Sequence, residues 1–152
     1  MRKVLLSAFL LSCLAVSGQN TAGSFDGKWN TTVTCDAKGS TLGYTLHFIS
    51  TVTGNVLHGE RGTPGQRAYL AIVGKIAADG NAKLTASGKT AGSQYTHGPI
   101  KTEGEEYSYE VKSQFTASEG KGERSTGLGI VGRPCHWTFE KQAVAEAGAC
   151  AG

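Results

Sequence analysis

The sequence predicts an all-β domain, an antiparallel up-and-down barrel of about eight strands. Three observations carry this. Short segments alternate apolar and polar residues with period two and are separated by Gly, Pro and Asn. The chain has 22 glycines and only one methionine, a composition that suits tight turns and disfavours a helical bundle. Cys35 and Cys135 each sit on an aromatic-rich alternating segment, one near each end of the expected domain.

The strands follow in order. Trp29, Thr31, Val33 and Cys35 alternate with Asn30, Thr32 and Thr34. Tyr44, Leu46 and Phe48 alternate in the same way with Thr45 and His47, and the segment continues to Val52-Thr53. Gly54-Asn55 marks a two-residue hairpin because Gly reaches positive φ at little cost. A strand from Val56 to about Arg61 follows, ended by Gly62-Thr63-Pro64-Gly65. Tyr69 to Ile76 is strongly apolar. Asp79-Gly80-Asn81 then turns the chain into Lys83 to Gly88. The clearest strand is Tyr107 to Phe115, with Tyr107, Tyr109, Val111, Ser113 and Phe115 on one face. Gly120-Lys121-Gly122 reads as a turn, followed by a weak strand from Glu123 to Val131 and a last one from Cys135 to Glu140.

Such short connections favour sequential antiparallel pairing. In an open meander the first and last strands would be too far apart for a disulfide, whereas closure makes them neighbours. A Cys35–Cys135 bond is therefore expected if the chain meets an oxidising compartment, the alternative being two unpaired core cysteines. A two-sheet β-sandwich could also bring the two together and is the alternative architecture. Cys150 lies in a tail of small residues and is the expected odd cysteine.

Export is expected from residues 1–18: Arg2 and Lys3 form a positive start, Val4 to Val16 an apolar run too short for a bilayer, and Val16-Ser17-Gly18 a cleavage site. Leu10-Leu11-Ser12-Cys13 offers a rival reading as a lipoprotein acylated on Cys13. The expected organisation is a signal peptide at 1–18, one barrel domain at 19–142 and a flexible tail at 143–152, in a periplasmic or secreted protein. Without Arg2 and Lys3 the 15 basic residues fall to 13 against 12 acidic ones, a net charge of +1. The charges alternate in sign along the chain, which argues against nucleic acid and against an anionic membrane as partner.

Phe25-Asp26-Gly27-Lys28-Trp29 resembles the opening of the calycin-type barrels, the lipocalins, fatty-acid-binding proteins and avidins, which begin their first strand with Gly-x-Trp. The resemblance implies that Trp29 closes one end of the barrel under a basic side chain from near the last strand, the part for which Arg133 is placed. No helix pair lies between the first two strands, and the short meander is nearest in outline to avidin. Together with Leu57-His58-Gly59, Tyr107-Ser108-Tyr109 and Gly132-Arg133-Pro134-Cys135, the opening also resembles small exported bacterial domains. That likeness supports the domain limits and implies no activity.

No catalytic constellation stands out and no cofactor is expected. His47, His58, His97 and His136 are scattered without the spacing of a zinc site. Glu103, Glu105 and Glu106 read as a solvated acidic loop; a glycosidase pair would require two of them to face each other across a cleft. Ser87, Ser93 and Ser125 lack a Gly-x-Ser-x-Gly context. Asn30-Thr31-Thr32 has the form of a glycosylation acceptor but lies within an expected strand.

Most aromatics belong to the core by alternation. Tyr107 and Tyr109, however, share a face near one strand end, and Tyr95, His97 and Arg61 are candidates for the same barrel mouth. Tyrosines at such a mouth suit a small ligand, the rings giving apolar area and the hydroxyls fixing orientation. The competing reading is that the rings fill a narrow barrel. The functional expectation is a non-catalytic binding module for a small ligand or an envelope partner. The alternative is a secreted inhibitor or interaction protein acting through the loops Gly59 to Arg67 and Lys89 to Glu106.

Overall fold

The computed structural model describes residues 25–96, 103–125 and 132–143. The chain is an eight-stranded antiparallel closed barrel with strands in sequence order, β1(Gly27–Cys35), β2(Tyr44–Thr53), β3(Val56–Arg61), β4(Leu70–Ile76), β5(Asn81–Lys89), β6(Glu106–Phe115), β7(Glu119–Arg124) and β8(Cys135–Lys141). β8 closes on β1, pairing Trp29 with Lys141 and Cys35 with Cys135, and the two cysteines are disulfide-bonded. Closure excludes the sandwich. Among the described residues no helix is long and apolar enough to cross a membrane. Residues 1–24, with the expected signal peptide and Cys13, and residues 144–152, with Cys150 and most of the expected tail, lie outside the described residues.

The β2–β3 hairpin shows how local chemistry sets the register. Gly54 and Asn55 both take positive φ, 57° and 63°, the two-residue turn whose twist matches the flanking strands. The Asp26 carboxylate accepts from the backbone N–H of both residues, at 3.0 Å each, tying the approach to β1 across to this turn. These bonds hold the Asp26 carboxyl below the usual aspartate range.

The seventh strand differs from the expectation. Gly120 and Gly122 lie inside β7, facing inward, and the turn that precedes it is at 116–118, closed by Thr116 and Glu119. The glycines are spaces for their neighbours. A Cβ on Gly120 would stand 2.6 Å from the Phe115 ring, and one on Gly122 would stand 2.3 Å from Ser113 Oγ. Residues 126–131, the rest of the expected strand, lie outside the described residues.

One end of the barrel is filled by aromatic side chains. Trp29, Phe25 and Phe139 surround Phe115, with ring centroids 5.5, 6.3 and 4.9 Å away, and Trp137 stacks on Phe139. Trp29 is fully buried, and its indole N–H donates to the Phe25 carbonyl at 2.9 Å. The basic residue beside it is Lys141, whose Nζ lies 5.8 Å from the Trp29 ring centroid. Arg133 does not take that part. It precedes Cys135, which pairs with Cys35, and Cys35 is six residues along β1 from Trp29, roughly 20 Å away. Above the aromatic end, Leu57, Ile72, Leu84, Val33 and Val111 complete the core.

Candidate functional site

At the opposite end the interior is open. A cavity of about 510 Å³ is lined by Tyr44, Leu46, Tyr95, Tyr107 and Tyr109, by Leu70 and Ala68, and by Arg61, Lys89, Arg124 and Arg133. That volume lies within the range of small-molecule sites.

Each side chain is placed by its strand. Alternation on β6 turns Tyr107 and Tyr109 inward and leaves Ser108 and Glu110 outside. Their rings stack, with centroids 6.0 Å apart and planes 21° from parallel. Directly across on β5 are Gly88 and Ala86. A Cβ at Gly88 would lie 2.8 Å from Tyr107 Oη and 2.0 Å from the Tyr69 carbonyl oxygen, so only glycine lets Tyr107 lean over that strand. Tyr44 opens β2 opposite Cys35 and meets Tyr95 edge to face, with centroids 5.9 Å apart. Tyr95 sits on a short 3₁₀ turn, Ser93–Tyr95, held against the loop before β2 by Leu42 N–H on the Gln94 carbonyl and by Thr41 Oγ1 on the Thr96 carbonyl.

The cations meet the aromatic faces. The Arg124 guanidinium lies 4.4 Å from the Tyr109 ring centroid and that of Arg133 lies 4.5 Å from the Tyr44 centroid, the geometry of cation–π attraction. Arg133 is only 5% exposed and donates from one guanidinium nitrogen to the Leu42 carbonyl. Gly132 lies close to Arg124, for a Cβ there would stand 2.9 Å from the guanidinium carbon. Lys89 pairs with Glu106 at 3.3 Å, and at the rim Arg67 pairs with Glu103.

Desolvation pushes the Tyr107 and Tyr109 phenols well above the ordinary tyrosine range; the nearby Tyr44 adds to this, and Arg133 opposes it for both, with Arg124 also opposing it at Tyr109. Both phenols are therefore neutral hydrogen-bonding groups at physiological pH. Among the described residues no group of His, Cys, Asp or Glu side chains is arranged to hold a metal ion.

Of the residues singled out from sequence, Arg61, Tyr95, Tyr107 and Tyr109 line this one cavity, while His97 lies outside the described residues. Sequence reasoning assigned Tyr44 to the core, Arg133 to the other end and Glu105 and Glu106 to solvent, and it passed over Arg124 and Lys89; all of them line the cavity. Strand parity held a signal for Arg133, whereas that for Arg124 depends on a glycine strand that the sequence does not mark. Arg133 stands two residues before the inward Cys135, and Arg124 two after the inward Gly122. Comparison with known proteins yields no matching family model, no matching curated protein and no matching solved structure.

Proposed function

We propose that this chain is an exported, non-catalytic binding module that takes a small ligand into the open end of its barrel. The observation that carries the reading is the asymmetry of the interior. Aromatic side chains fill one end, while the other leaves about 510 Å³ between tyrosines whose hydroxyls and neighbouring guanidiniums offer directional donors. Binding requires only such a shaped, partly apolar cavity on a rigid frame, and the Cys35–Cys135 bond stiffens the wall where Tyr44 and Arg133 sit. The disulfide is compatible with an oxidising location, which supports the reading of residues 1–18 as an export signal. The Gly27-Lys28-Trp29 likeness to calycin-type barrels, many of which carry small ligands, agrees with it.

The test is the uptake of an uncharged solvatochromic dye, Nile red, by the oxidised full chain and by a Tyr107→Ala/Tyr109→Ala variant. Saturable one-to-one binding that the double variant loses while keeping its fold supports the reading. Equal binding by a folded double variant moves the site to the outer loops.

A further inference from the structure

Among the described residues, the open end carries positive charge that no carboxylate pairs with. Arg61, Arg124 and Arg133 all line the cavity. Among the described residues none of the three has a carboxylate within ion-pair distance. The carboxylates of that end are engaged elsewhere: Glu103 with Arg67, Glu106 with Lys89, Glu60 with Tyr69 and His58, and Asp36 and Glu123 with His136. Glu105 lines the mouth as well. Segments 97–102 and 126–131, outside the described residues, contain no Asp or Glu, and the segment after residue 143 contains Glu146.

Arg133 makes this imbalance consequential. A guanidinium cannot shed its proton to escape burial, and a buried charge without a counter-charge is unfavourable. The Leu42 carbonyl and the face of Tyr44 satisfy part of Arg133 and bring no negative charge. The Arg133 guanidinium lies over the Tyr44 ring, that of Arg124 lies over the Tyr109 ring, and the Tyr107 and Tyr109 rings stack on each other. Among the described residues Tyr69 has its hydroxyl bound to a carboxylate, that of Glu60, whereas the hydroxyls of Tyr44, Tyr107 and Tyr109 make no such bond. These hydroxyls and the two guanidiniums line a cavity with apolar walls at Leu46, Leu70 and Ala68.

We infer that the ligand is a small aromatic carboxylate, its carboxylate held by Arg133 and Arg124 with the hydroxyls of Tyr44, Tyr107 and Tyr109, and its ring packed among the tyrosine rings and Leu46. This rests on the cavity being the ligand site. The planar guanidinium fork matches a carboxylate with two parallel hydrogen bonds. A mineral anion would match the fork as well, but it has no apolar body to place against the leucine and tyrosine walls and loses more hydration on entry. A flat ring exploits the same walls by stacking or edge contact.

The experiment is calorimetric titration of the oxidised full chain with 2-naphthoate, with its uncharged counterpart 2-naphthamide and with inorganic phosphate, with Nile red as the neutral control. The acid is expected to bind about tenfold or more tighter than the amide, as hydrogen bonds to a charged group imply. Arg133→Gln removes that preference, the affinity for the acid falling to that for the amide, and Arg133→Lys restores part of it. If Arg133→Gln does not fold, Arg124→Gln serves in its place with the same expectation. Equal affinity for acid and amide overturns the carboxylate inference and leaves the small-ligand reading standing, as does phosphate displacing naphthoate at equal concentration. Binding of neither naphthalene compound nor Nile red overturns the small-ligand reading itself.

Discussion

The Arg133 guanidinium rests on the Tyr44 ring beside the disulfide that joins β1 to β8. Tyr44 pairs with Cys35 on β1, and Cys35 is bonded to Cys135, two residues beyond Arg133. The cation and the ring on which it lies are thus clamped across the seam at which the sheet closes. Rigid placement of a binding group matters because each rotamer it would otherwise explore must be frozen when a ligand arrives.

Loss of that clamp is expected to affect stability and binding together. Peptide mapping without reduction should recover Cys35 linked to Cys135. The bond closes a loop with a sequence separation of 100, for which chain-entropy reasoning gives a stabilisation of about 4 to 5 kcal/mol as an upper figure. A Cys35→Ala/Cys135→Ala variant should therefore show a lower denaturant midpoint and weaker dye uptake. Finding Cys150 bonded to either cysteine in most molecules would contradict the assignment.

At the filled end, Trp29→Ala should destabilise the domain by about 3 to 5 kcal/mol, the usual result of deleting a fully buried large aromatic. A double-mutant cycle distinguishes its basic neighbour. Trp29→Ala and Lys141→Gln should be coupled, because Lys141 lies over the indole. Trp29→Ala and Arg133→Gln should be additive within about 0.5 kcal/mol, as expected of side chains far apart with no shared partner. Coupling of the second pair instead of the first would overturn the placement of both cations.

Asp26 predicts a pH dependence. Two backbone hydrogen bonds favour its ionised form, so its folded value lies below its unfolded one. The stabilisation is present above the unfolded value of about 3.9 and is lost as pH falls through the folded one. Asp26→Asn should lower the urea midpoint at neutral pH, and the gap between variant and wild type should close in acid. A gap of the same size at both pH values would mean that the carboxylate's charge contributes nothing to the hairpin.

The barrel was legible in the sequence because most strands show their inward residues directly. On β6 the run from Tyr107 to Phe115 alternates without a break, and β1 and β8 carry the two cysteines that report closure. The seventh strand was hidden for a physical reason. Its inward positions are Gly120 and Gly122, which have no side chain to mark a face, because the rings and chains of β6 occupy the space. Arg124 was lost with them. The misplacement of Arg133 has a different cause. Strand parity points it inward but says nothing of which end it occupies, and the analogy with lipocalins supplied the wrong end. Pairing Cys35 with Cys135 antiparallel already implies that Trp29 faces residue 141. The cavity was less legible still, since it depends on how far the Tyr107 and Tyr109 rings lean over Gly88 and Ala86, a matter of three-dimensional packing.

Native mass spectrometry of the full chain, purified without denaturation from the cells that make it, tests the central claim most directly. The account predicts a discrete added mass of a small molecule on the folded, disulfide-bonded protein. That mass should be released on unfolding and missing from Tyr107→Ala/Tyr109→Ala purified in the same way. An added mass that persists on the folded double variant would contradict a ligand site at the open end of the barrel.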